Sequence, residues 1–259
     1  MRNILAIIER ELRAYFISPV AYVVLTIFVF LSGLFFRSIL AQVLQMGLMS
    51  QLQAQQLGPR AMDMPGMITR GFLSTMSVIL LFVMPMLTMG LFSEEKRRGT
   101  IELLLTAPLT DLQVVLGKFF AGVTFFLILL LTTWIPTGFL YLYSSPASGP
   151  ILTAYLGLLL YGLALIAIGL FISTLTENQI IAAVLSFGTI MVLWLVDVLA
   201  NNADSTTGKA VLTYLSIISH LDDFMKGVLS TSHIIFYMSL MLVALFLTYR
   251  SIDSLRWRG

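Results

Sequence analysis

Apolar residues run through this chain in blocks that no charge interrupts for the length of a bilayer. Arg13 and Arg37 enclose 23 uncharged residues, Arg70 and Glu94 another 23, and Lys118 and Glu177 enclose 58. Glu177 and Asp197 bracket 19 more, and Lys226 and Arg250 a further 23. The block of 58 is divided by Ser144-Ser145-Pro146-Ala147-Ser148-Gly149-Pro150, a turn-forming stretch. A helix needs about 20 apolar residues to cross the hydrocarbon core. The pattern therefore predicts six spans, at about 19–36, 71–92, 119–143, 151–173, 179–199 and 229–249. The shorter, alternating segments of a membrane barrel are missing. The expected fold is an all-α membrane protein, with one transmembrane domain over 1–259.

Composition agrees: 58% of residues are hydrophobic and 11% charged, against about 25% charged in soluble domains. The absence of cysteine excludes disulfides, thiol nucleophiles and Cys-ligated metals. Basic residues give an orientation. With the N-terminus inside, the inner segments hold Arg2, Arg10, Arg13, Lys96, Arg97, Arg98, Lys118, Arg250, Arg256 and Arg258. The outer segments hold Arg37, Arg60, Arg70, Lys209 and Lys226. The positive-inside rule then favours two cytoplasmic termini, with 37–70 and 200–228 outside as short amphipathic elements.

Residues 2–18 lack the uninterrupted core and cleavage site of a signal peptide, because Glu9, Arg10, Glu11 and Arg13 intervene. At helical spacing Ile4, Leu5, Ile8, Leu12, Tyr15 and Phe16 share an arc, while Arg2, Glu9, Arg10 and Arg13 lie largely opposite. The segment reads as an interfacial helix that Ser18-Pro19 turns into the first span.

Charge concentrates in one place. Glu94, Glu95, Lys96, Arg97, Arg98 and Glu102 fall within nine residues, followed by Pro108, Asp111 and Lys118. Topology needs only Lys and Arg, so the acids beside them point to a surface presented to a partner in water. The spacing predicts a short crosswise helix over 94–108, ended by Ala107-Pro108. Leu109-Thr110-Asp111 then caps the helix that carries Lys118 into span three.

The run Glu95-Lys96-Arg97-Arg98-Gly99-Thr100-Ile101-Glu102-Leu103-Leu104-Leu105-Thr106-Ala107-Pro108, followed by Gly117-Lys118, resembles the coupling-helix region of ABC-2 type transporter permeases. The segments Glu11-Leu12-Arg13-Ala14-Tyr15-Phe16-Ile17-Ser18-Pro19 and 215–228 are similar to the GldF-like and NosY-like branch of that family. The resemblance implies an ABC-2 (type V exporter-like) permease fold in the bacterial inner membrane. It implies a dimer with a second permease subunit, identical or not. Each subunit would dock a separate P-loop ATPase through Glu94, Glu95, Lys96, Arg97, Arg98, Gly99, Thr100, Glu102, Leu104 and Pro108. Gly117 and Lys118 would mark the return into the membrane, and Gly99 would allow close approach of the partner. ATP and Mg are then expected on that partner, with no cofactor and no catalysis on this chain. A P-loop needs Gly-x4-Gly-Lys-Ser/Thr. The nearest sequence, around Thr207-Gly208-Lys209-Ala210, has Ala203 and Ala210 at two of those positions.

Other features carry less. Asp197 is the intramembrane polar candidate, since acids in spans are expensive, although it falls near Asn201 and Asn202 at the outer boundary. Met46, Met49, Met62, Met64 and Met67 could form a thioether site, but methionine also packs adaptably and no His or Cys lies there. His220 with Asp222 and Asp223 is a thin set for a metal. Pro85 and Pro136 are expected to kink spans two and three.

Two readings from other classes stay open on sequence. Glu94-Glu95 resembles the paired glutamates of CAAX-type membrane proteases, but Gly99 stands where that pattern has arginine, and both histidines fall in or beside the last outer segment rather than deep in the membrane helices. A channel or scaffold with no transport cycle is the other, although no ring of pore-lining charge is visible. Sparse polar groups in the spans point to lipid-like, amphipathic or polymeric cargo, or to mechanical transmission to a periplasmic-domain partner. The lipid bilayer is the remaining partner; nothing in the pattern suggests a nucleic acid.

Overall fold

A computed structural model of the chain describes residues 2–57, 63–102, 109–202 and 206–256. Its first helix, α1 (Arg2–Ile17), is followed after Ser18 by the 39-residue α2 (Pro19–Leu57). Then come α3 (Met64–Thr88) and α4 (Gly90–Arg97), and after the charged stretch α5 (Asp111–Thr132) and α6 (Trp134–Tyr143). The chain continues through α7 (Ser148–Ser173), α8 (Gln179–Asn201), α9 (Thr206–Leu215), α10 (Ile217–Met225) and α11 (Thr231–Arg256). Among the described residues there is no strand. Six stretches are long and apolar enough to cross a membrane: α2, α3 with α4, α5 with α6, α7, α8 and α11.

The most enclosed of these is α7, which α3, α5, α8, α10 and α11 surround. Packing inside a bilayer gains little from burial alone, so polar side chains and close fit hold such helices together. Tyr161 of α7 donates to the Ser77 carbonyl of α3 at 3.3 Å. From α11, Tyr237 donates to the Ile217 carbonyl of α10 at 2.6 Å. The helices α2, α8 and α11 stay largely uncovered on their outer sides, as lipid-facing spans do.

Three expectations change. The segment 37–70 was expected to hold short amphipathic elements outside a span ending at 36; instead α2 runs unbroken to Leu57. At 1.5 Å per residue that is about 58 Å, twice a hydrocarbon core. Residues 38–59 carry no charge, and the far part of α2 holds Gln42, Gln45, Gln51, Gln53, Gln55 and Gln56, good helix formers with no breaker until Gly58-Pro59.

Second, the helix expected over 94–108 is broken. The chain leaves span two through Met89 directly into α4, which ends at Arg97. Gly99 then takes φ +69°. The Thr100 amide bonds the Glu95 carbonyl at 3.0 Å and the Gly99 amide bonds the Lys96 carbonyl at 3.1 Å, a glycine-closed helix end. Helix resumes at residues 101 and 102; residues 103–108, with Leu104 and Pro108, lie outside the described residues, as does Met62.

Third, Pro85 sits inside α3 without ending it, and the interruption of span two comes at Met89. Span three does break, at Thr133, three residues before Pro136.

Candidate functional site

The site builds up from α1. Its apolar arc packs against α5, where Ile7 lies so close that a Cβ added to Gly117 would sit 2.7 Å from its Cγ2. Only glycine permits that approach. Tyr15 donates to the Leu87 carbonyl at 2.9 Å, and the rings of Tyr15 and Phe16 lie 5.5 and 6.0 Å from Phe125. Thr110 caps α5 in a capping box with Gln113, whose side-chain oxygen also accepts from Asn3 at 3.4 Å. The interfacial helix is therefore pinned to the third span at both ends.

Between those contacts lies a charge cluster drawn from three helices. Lys118 of α5 is 1% exposed, and its ammonium stands 3.0 Å from Glu11 of α1 and 3.0 Å from Glu95 of α4. It also donates to the Leu91 carbonyl and lies 5.1 Å from the Phe92 ring centre. Arg10 reaches across to both carboxylates at 2.6 Å. Two cations and two anions make a neutral set. Burial alone would raise the pKa of Glu11, but the Lys118 charge and the hydrogen bonds from Arg10 and Lys118 bring it below its ordinary value. A cavity of about 530 Å³ opens beside the cluster, lined by Arg10, Glu11, Glu94, Glu95, Arg98 and Lys118.

The charged stretch thus divides. Glu95, expected to meet a partner in water, turns inward, where it and Glu11 balance the charges of Lys118 and Arg10. Lys96 donates to the Thr174 carbonyl at the end of α7, where a cation suits the helix terminus. Thr174 in turn meets Ser251 of α11 at 2.9 Å. Glu94 pairs with Arg98 along the outer side of α4. Arg97, Arg98, Gly99, Thr100 and Glu102 are exposed. Among the described residues nothing lies within 4 Å of where a Gly99 Cβ would be, so its glycine serves the left-handed turn rather than a close approach to them. The outward surface is the second half of the stretch; the inward anchor is the first.

Arg10 and Glu11 were missed as site residues. Yet a signal existed: at helical spacing Glu11 falls between Ile4 and Ile7, on the buried arc. An acid there demands a cation.

Asp197 does not join this cluster. It lies near the far end of α8, whose first residue Gln179 abuts Gly90 of α4, so about 27 Å of helix separate them. There it accepts from Ser216 at 3.1 Å and lines a cavity of about 590 Å³ with Trp194, Asp222 and Lys226. The two histidines also meet at that face. His220 Nδ1 is 2.6 Å from His233 Nδ1, His220 Nε2 is 2.9 Å from the Tyr214 carbonyl, and His233 Nε2 is 2.9 Å from Asp223. Glu94 and Glu95 lie at the opposite face, so no glutamate–histidine centre of a membrane protease assembles among the described residues. No group of three His, Cys, Asp or Glu arranged to hold a metal occurs among them either.

The comparison with protein families fits this architecture. No individual curated protein matches the chain. A family model described as ABC-2 family transporter protein matches residues 5–252, which takes in α1, all six spans and the charge cluster. A chain of six apolar helices matched from its interfacial helix to its last span belongs to the ABC-2 family of transporter proteins.

Proposed function

We propose that this chain is the membrane-spanning subunit of an ATP-binding cassette transporter of the bacterial inner membrane, with both termini in the cytoplasm. It works as a dimer with a second permease subunit. A separate P-loop ATPase binds ATP and Mg and docks on Arg97, Arg98, Gly99, Thr100 and Glu102, to which the family resemblance adds Leu104 and Pro108. Export, or mechanical transmission to a periplasmic-domain partner, follows from movement of α4, in the manner of the GldF-like and NosY-like branch.

The observation that carries this reading is the connection of one exposed turn to four helices. Exposed ion pairs such as Glu94–Arg98 contribute about 0.3–0.5 kcal/mol and exchange readily for a partner's groups. Behind that turn, Glu95 grips α1 and α5 through Lys118, and Lys96 grips α7. A push on the turn is therefore delivered to buried contacts that do not give way. The cavity beside Arg10 and Glu94 leaves room for the displacement.

The test is co-purification with the cognate ATPase. The wild-type pair should form a complex with stimulated ATP hydrolysis. Arg97→Glu combined with Glu102→Lys should lower capture by about tenfold or more while leaving the permease folded. Undiminished capture by that variant would sink the docking surface.

A further inference from the structure

Arg37 is the one charged residue of α2, and no acid occurs in the chain between Glu11 and Asp63. Among the described residues nothing pairs with its guanidinium. Eighteen residues separate it from Pro19, about 27 Å of helix, which places it near the headgroup level of the leaflet away from α1. Gly71 of α3 packs on Ile39 of α2, so Arg70 stands at a similar height along the bundle, as two basic residues at one headgroup level would. Guanidinium groups at that depth meet lipid phosphates, which they bind in a bidentate fork.

Below Arg37 a groove of about 390 Å³ separates α2 from α6. Its walls are two apolar stripes, Val29, Gly33 and Phe36 on one helix and Ile135 and Phe139 on the other. The gap is built into the fold. Span three breaks at Thr133, whose hydroxyl and carbonyl are both held by the Tyr155 hydroxyl at 3.1 and 3.0 Å. Trp134 stacks on the Tyr155 ring at 4.6 Å. These contacts fix the direction in which α6 leaves, and the groove follows. Gly33 deepens it, since among the described residues no atom lies within 4 Å of where its Cβ would be. Ser32 borders the slot about 7.5 Å below Arg37, and its buried hydroxyl has no hydrogen-bond partner.

We propose that this groove is a binding site for a single anionic phospholipid. Its phosphate sits at Arg37, its ester region falls at the depth of Ser32, and one acyl chain lies along Gly33 and Val29 against Ile135 and Phe139. The charge selects the headgroup, because an arginine that no described acid pairs with favours an anion over a zwitterion. The slot selects a molecule with a tail rather than a free anion. The site is independent of ATPase docking.

The full-length chain, reconstituted in vesicles of equal parts phosphatidylglycerol and phosphatidylcholine, would be extracted in mild detergent and its retained lipid counted by native mass spectrometry. Wild type should retain phosphatidylglycerol over phosphatidylcholine by about tenfold. Arg37→Gln should bring that ratio to about one, Arg37→Lys should keep most of it, and Gly33→Leu should lose retention of both lipids by filling the slot. Excess inorganic phosphate should leave retention unchanged. Equal retention of the two lipids by wild type, an unchanged preference in Arg37→Gln, or displacement by inorganic phosphate would each overturn the proposal. Should Arg37→Gln not fold, Arg37→Lys and Gly33→Leu decide the matter: a Gly33→Leu chain that holds the lipid as wild type does removes the site.

Discussion

The two faces of the bundle are held by ionisable clusters of opposite design. At the α1 face, Glu11 and Glu95 close on the buried Lys118, with Arg10 making the set neutral. At the far face, His220 and His233 meet each other and lean on the Tyr214 carbonyl and Asp223. The first cluster sets two carboxylates against an ammonium and a guanidinium. The second joins two imidazole rings to each other, to a backbone carbonyl and to one carboxylate, around a His220 ring that burial disfavours in its charged form. One face is held by paired charges, the other by hydrogen bonds of histidine rings. A transmitter of force needs the first kind of joint, since its contacts must not loosen under ordinary conditions.

The sharpest way to break this contrast is to remove the central cation. Lys118→Met leaves two carboxylates with only the half-exposed Arg10 between them, and deleting one partner of a buried pair costs about 3–5 kcal/mol. Thermal unfolding in detergent should show that loss. Adding Glu11→Gln and Glu95→Gln should recover most of the stability, since neutral replacements of a buried set cost little. Stimulation of the ATPase should stay lost in the triple variant if the cluster transmits movement. A Lys118→Met chain as stable as wild type would mean that the cluster is open to water and carries no load.

How much of this was legible depends on distance along the chain. The six spans could be read because charge, which ends a span, is so sparse here that each gap stands out. The same rule misled at Arg37, where one cation in an apolar helix was taken as an end; Gln42, Gln45 and their neighbours continue the helix without charge. Within the charged stretch, the sequence showed that acids accompany bases but not which way each faces. Glu95 and Lys118 are 23 residues apart, and Glu11 lies 107 from Lys118, so their meeting is a property of packing. Glu11 alone gave a local clue, by standing on the buried arc of α1. His220 and His233, 13 residues apart, come together because α10 and α11 turn back on each other after Gly227, whose φ is +84°. No periodicity in either helix announces that.

A second way to sharpen the contrast is acid. Burial holds the pKa of His220 below its usual 6.5; the Tyr214 contact opposes this, the neighbouring His233 adds to it, and Asp223 opposes it. A depressed folded pKa contributes stability that is present above the unfolded value and lost as pH falls through the folded one. His220 therefore loosens the far face somewhere below pH 6.5. Glu11 obeys the same sign, but its folded pKa lies below 4.5, so the α1 face should hold until the solution is far more acidic. Asp222, Asp223, Lys226, Tyr214 and Tyr237 surround the histidines and set the background charge. Because the chain has no cysteine, nitroxides on Leu5→Cys and Val211→Cys, both exposed positions, would report each face cleanly. Mobility should rise at Val211 first and at Leu5 only at lower pH, and His220→Gln should remove the first transition alone. Simultaneous transitions at the two positions would erase the distinction between the faces.

The smallest effect tests where the charge cluster gives way to the exposed turn proposed to dock the ATPase. Gly99 holds φ +69° with empty space around its missing side chain. Alanine there meets no clash but must adopt left-handed backbone, at a cost of about 1 kcal/mol. Asparagine tolerates that conformation better and should cost less. Thermal unfolding should thus rank glycine, asparagine and alanine in falling order, with every difference small beside that of Lys118→Met. Capture of the ATPase adds the discriminating readout. If the glycine serves only the turn, capture should follow the same ranking as stability. If Gly99→Asn keeps its stability but loses capture, the empty space beside Gly99 belongs to the partner, and the turn is a socket as well as a hinge.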